Sequence, residues 1–77
     1  MTVSRRTTAL TARQRAVVEL LSTGLSCPQI ARRLGIALNT VRQHVRNVAG
    51  RLQGDDGLPA IRRIRKHAAE LLRERAA

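Results

Sequence analysis

The 77-residue sequence has no phenylalanine, tyrosine or tryptophan, one cysteine (Cys27) and one lysine (Lys66). Each absence narrows what the chain can do. Single-strand binders and sheet-type RNA readers stack bases on aromatic rings, and none are present. A lone cysteine forms no internal disulfide, and His44 and His67 lie too far apart for a ligand-like metal spacing. No apolar run approaches a membrane span, and no signal-peptide pattern opens the chain. The expectation is a cytoplasmic protein with no membrane partner. The five acidic residues are scattered, with no nucleophile–base pair and no glycine-rich phosphate loop among the motifs. The chain therefore reads as a non-enzyme that needs no cofactor or metal.

What is abundant is arginine. Fifteen basic against five acidic residues give a formal net charge of +10. Such an excess calls for a polyanion: DNA, RNA or an anionic membrane surface. Arginine also carries the planar fork that pairs bidentately with phosphate and guanine. The length allows one domain with a thin core, which makes oligomerisation the remaining common source of extra burial.

Apolar spacing and capping signals predict an all-α fold of four helices. Residues 1–9 are polar and weakly periodic and read as a flexible arm. Thr11 and Gln14 form a capping box for a first helix that runs to about Ser22, buries Val17, Leu20 and Leu21, and ends at Gly24. Ser26 and Gln29 form a second box. Its short helix carries Pro28 in the first turn, turns Ile30, Ala31 and Leu34 inward and Arg32 and Arg33 outward, and stops at Gly35. A third helix spans about 38–52. At about 100° per residue, Val41, Val45, Val48 and Leu52 fall in one stripe. Asn39, Arg42, Gln43, Arg46 and Gly50 lie opposite, with Asn47 at the edge and Thr40 and His44 on a flank. The segment 53–57 is a turn by composition, with Asp56 as N-cap and Pro59 in the first turn of a long fourth helix that reaches Arg73 or beyond. Leu58, Ile61, Ile64, Ala68, Leu71 and Leu72 give that helix a near-heptad stripe.

Two helices joined at Gly35, the second with an arginine and amide face, form a helix-turn-helix able to enter the major groove. Arginine reads guanine O6 and N7, and glutamine reads adenine N6 and N7, so Arg42, Gln43 and Arg46 are the expected base contacts. Thr40, His44, Asn39, Asn47, Arg32, Arg33 and Arg51 are the expected contacts to the sugar–phosphate backbone, with Arg13 and Arg15 as further candidates. Thr40 starts a helix, where hydroxyl and amide together can hold a phosphate. Cys27 occupies a helix first turn and reads as a small structural residue.

The residues Leu10-Thr-Ala-Arg-Gln14, Val17, Leu20, Gly24-Leu-Ser26, Ile30-Ala-x-x-Leu-Gly-Ile36, Thr40-Val-Arg-Gln-His-Val-Arg-Asn-Val48 and Arg51-Leu52 resemble the LuxR/GerE-type helix-turn-helix domain. The match is gapless from Leu10 to Leu52 and weaker through Ala60-Ile61. The resemblance implies four helices with the third as recognition helix, base contacts at Arg42, Gln43 and Arg46, and phosphate contacts at Thr40 and His44. It also implies that the fourth helix makes the dimer contact.

Three departures stand out. The family usually has glutamate where this chain has Gln14, and serine or threonine where it has Ala37. Without that cap, the first turn of the third helix is expected to fray, or to start later under an Asn39 cap. The fourth helix is longer and richer in arginine than usual.

The resulting expectation is a stand-alone effector domain with an arm at 1–9, a helix-turn-helix core at 10–53 and a C-terminal dimerisation helix at 54–77. Its stripe of Leu58, Ile61, Ile64, Ala68, Leu71 and Leu72 is the expected dimer interface. The chain is expected to bind double-stranded DNA as a homodimer and regulate transcription, with RNA polymerase as a further partner. Two alternatives remain. One is a promoter-binding module resembling the fourth region of a sigma factor. The other is a protein-interaction module that sequesters a partner regulator through the fourth helix.

Overall fold

The computed structural model describes residues 10–52 and 57–73. The expected arm at 1–9, residues 53–56 of the expected turn at 53–57 with its Asp56 cap, and the end of the chain from 74 onward lie outside the described residues. Among the described residues the fold is all-α, with five helical segments and no strand: α1 (Ala12–Ser22), α2 (Cys27–Leu34), α3 (Leu38–Ala49), α4 (Ala60–Lys66) and α5 (Ala68–Arg73).

Local chemistry sets the first two helices. At the start of α1, the Gln14 amide N–H donates to Thr11 Oγ1 (3.0 Å) and the Thr11 N–H donates to Gln14 Oε1 (3.1 Å). Gln14 is itself buried. A neutral amide is cheaper to bury than the carboxylate that the LuxR/GerE pattern would put there. At the other end Gly24 adopts φ 99°. The Gly24 and Leu25 amides reach back to the Leu21 and Leu20 carbonyls (3.0 and 3.2 Å), which closes the helix in a Schellman turn. Ser26 and Gln29 repeat the box on α2. Gly35, at φ 70° and ψ 33°, ends that helix, and the Ile36 N–H returns to the Ala31 carbonyl (3.1 Å).

The core joins all five segments. Val17, Val18 and Leu21 of α1, Ile30 of α2, Val41 and Val48 of α3 and Ile64 of α4 are fully buried in one cluster, with Ala68 and Leu71 of α5 at its edge. The expected stripes differ in detail. Val18 and Ala49 are buried, whereas Leu20 and Leu52 are half-buried. Because α1 touches every other helix, it presents a wider apolar face than one stripe.

α3 ends at Ala49 rather than near Leu52. The Arg51 and Leu52 amides bond the Val48 and Ala49 carbonyls (3.0 Å each), the i−3 pattern of a tightened final turn. The fourth helix starts later and is divided. Its N-cap is Pro59, so the proline precedes the first turn. His67, at φ −106° and ψ 13°, interrupts the helix between α4 and α5. The ladder bridges the break through the His67 N–H to Arg63 O and the Leu71 N–H to His67 O (3.1 and 3.0 Å). The His67 ring pairs with the Glu70 carboxylate at 3.1 Å across the first turn of α5.

Residues 57–73 thus belong to the same core as the helix-turn-helix. Ile64, Ala68 and Leu71, expected at a dimer seam, are buried inside this chain. Leu58, Ile61 and Leu72 of that stripe remain half-buried.

Candidate nucleic-acid interface

Two angles aim the interface: the left-handed residue at Gly35 and the extended Ala37 (φ −67°, ψ 148°) from which α3 departs. Ala37 offers no side-chain cap, and α3 nonetheless starts at Leu38. Asn39 is therefore inside the helix and not its cap. Packing supplies what the cap does not, because Val41 at 0 % exposure and Val45 at 5 % fix the first two turns against the core.

Burial of the Val41–Val45–Val48 stripe leaves the opposite side of α3 to solvent. Asn39, Thr40, Arg42, Gln43, Arg46 and Asn47 are all exposed, and His44 is half-buried on the flank. The Thr40 amide already donates to the Ala37 carbonyl (3.0 Å), so only its hydroxyl is left for a phosphate. Arg51 is exposed in the turn after α3. Arg32 and Arg33 are exposed on α2, where with Leu25 and Gln29 they line a polar depression separate from the α3 face.

Arg15 departs from its expected role. It is half-buried and donates from Nη1 to the Leu72 carbonyl (2.9 Å), which ties α1 to the end of α5. Arg65 makes the matching clamp. Its Nε and Nη2 donate to the Leu21 and Leu25 carbonyls (3.0 and 3.3 Å) at the C-terminal end of α1. A cation there satisfies terminal carbonyls and opposes the negative end of the helix dipole.

A groove of about 790 Å³ runs beside the exposed face of α3, between it and α4. Arg42 and Arg46 border it from α3, and Arg63 and Arg65 from α4. Neither α4 arginine is distinguishable in the sequence from the rest of the Arg62-Arg63-Ile64-Arg65-Lys66 run. Their place beside the recognition helix is purely tertiary.

Cys27 is free and buried, and it packs against this groove. Among the described residues no cluster of His, Cys, Asp and Glu could hold a metal ion, and no helix is long and apolar enough to cross a membrane.

The family model described as GerE: Bacterial regulatory proteins, luxR family, matches residues 8–62, well over half of the chain. No curated protein and no solved structure matches it.

Proposed function

The chain belongs to the LuxR family of bacterial regulatory proteins, with a GerE-type DNA-binding domain for transcription regulation, and on that premise we propose sequence-specific reading of double-stranded DNA by a homodimer. In this reading α3 enters the major groove. Arg42, Gln43 and Arg46 meet base edges, and Thr40, His44, Asn39, Asn47, Arg32, Arg33 and Arg51 hold the sugar–phosphate backbone.

One observation carries the reading. Arg42, Gln43 and Arg46 are exposed together on a helix whose opposite stripe is buried, so rotating them away from solvent would expose Val41 and Val48. The net charge of +10 supplies long-range attraction to the duplex and predicts steep weakening with salt through counterion release. Pairing of two copies falls to Leu58, Ile61 and Leu72, the half-buried remainder of the C-terminal stripe. Sequestration of a partner through that stripe is the weaker alternative, because Ile64, Ala68 and Leu71 are already committed to the core.

The test is selection of bound duplexes from a random pool at physiological salt. An enriched inverted repeat is expected, with half-sites about one helical turn apart. Arg42→Ala and Arg46→Ala should each cost about 1–3 kcal/mol and relax preference at one base position. Arg32→Ala should weaken all sequences alike and lower the salt slope by about one. Uniform recovery of the pool would leave only charge-driven adhesion and end the specific reading.

A further inference from the structure

The groove between α3 and α4 has two chemistries. Its floor is apolar where Pro59 and Ala60 lead into α4, with Val45 and Ala49 lining it from α3. Its rim is cationic where the exposed Arg42 and Arg46 border it, with the half-buried Arg63 and the carbonyl-bound Arg65 adding positive charge from α4, and no described acidic residue lines it. A duplex backbone matches the rim but not the floor, because phosphates pressed on hydrocarbon lose hydration without gaining a partner. A second copy of this chain would bring its own excess of positive charge to an arginine rim. An amphipathic helix whose apolar stripe is flanked by acidic residues satisfies both parts at once: the stripe covers the floor and the flanking carboxylates pair with the guanidinium forks of Arg42 and Arg46.

We propose that this groove seats an acidic amphipathic helix of a partner protein, and that docking there and binding DNA exclude one another. The exclusion rests on the DNA reading of Arg42 and Arg46, since those side chains border the groove and belong to the base-reading face. The docking itself does not depend on that reading. A partner of this kind switches the regulator off by taking its reading arginines, with no change in fold.

The test uses the full chain and a fluorescein-labelled peptide of about 16 residues. The peptide carries leucine at i, i+3, i+4 and i+7 with glutamate between. A second peptide of the same composition is permuted so that its leucines share no face. Anisotropy should show the amphipathic peptide binding at least about tenfold tighter than the permuted one, and the selected duplex should displace it without a ternary complex. Ala60→Gln leaves the charge unchanged and removes apolar floor, and should weaken the peptide by about tenfold while duplex affinity stays within about threefold. Pro59→Ser is run beside it, because a capping hydroxyl at that position preserves α4 while again making the floor polar.

Equal binding of the two peptides would reduce the groove to charge alone and overturn the proposal, as would a stable ternary complex. Capture by phosphatidylglycerol vesicles without peptide binding would assign the groove to a lipid surface and overturn it too. A chain that takes the peptide but selects no duplex motif would refute the DNA reading and leave the docking intact. One that selects a motif and refuses the peptide would refute the docking alone.

Discussion

Gly35 carries the elbow of the helix-turn-helix at φ 70°, and a methyl group built on it would meet nothing within 4 Å. The need for glycine there is conformational and not steric. Gly35→Ala should therefore cost about 1–2 kcal/mol, the left-handed penalty of an L-residue, and Gly35→Asn less, as read by chemical denaturation. Arg65 is the second decisive side chain. Its guanidinium bonds the Leu21 and Leu25 carbonyls from 44 and 40 positions away. Arg65→Gln should destabilise the fold by about 1 kcal/mol with little effect on DNA sequence preference. An arginine that holds protein carbonyls is thereby separable by experiment from Arg42 and Arg46, which face solvent. Nothing in the spacing of fourteen arginines tells these roles apart. A guanidinium serves phosphate and peptide carbonyl with the same donors, and only the neighbouring element decides which it meets.

The helices differ in how far their own residues define them. α1 and α2 carry complete capping boxes and glycine stops, so their starts and ends follow from contacts within a few positions. α3 lacks the N-cap side chain, and its boundary at Leu38 is held by burial of Val41 and Val45 instead. Ala37 is exposed and already has the extended backbone that a capping residue uses. Ala37→Ser should therefore add about 1 kcal/mol and raise the melting midpoint by about 4–8 °C, as expected for a domain of this size. An unchanged midpoint would mean that packing already saturates the first turn. The division of the last helix at His67 was not legible, because no proline or glycine marks it. Its non-helical backbone accompanies the docking of Ala68 and Leu71 on the shared core.

For the molecule as a whole, the C-terminal segment is part of the domain and not an appendage. Ile64 and Leu71 contribute about 1.5–3 kcal/mol each by burial, in a chain too small to hold a large reserve. A version ending at Leu52 should lose its cooperative thermal transition by circular dichroism and its DNA footprint together. A folded, footprinting truncation would return the segment to a purely intermolecular role. The near-heptad stripe suggested that role because periodicity reports an apolar face without reporting what covers it. Here α1 covers much of that face, and the Arg15 bond to Leu72 helps hold it in place.

The amino-acid order alone determined the helix-turn-helix, the glycine elbow and the outward face of α3, because caps, turns and the period of a helix are properties of neighbours in sequence. Only the tertiary structure decided which side of the C-terminal stripe is buried, which arginines clamp the fold and which border the α3–α4 groove. The clamps join residues more than forty positions apart, and the groove joins two helices far outside each other's local range, where local rules carry no information.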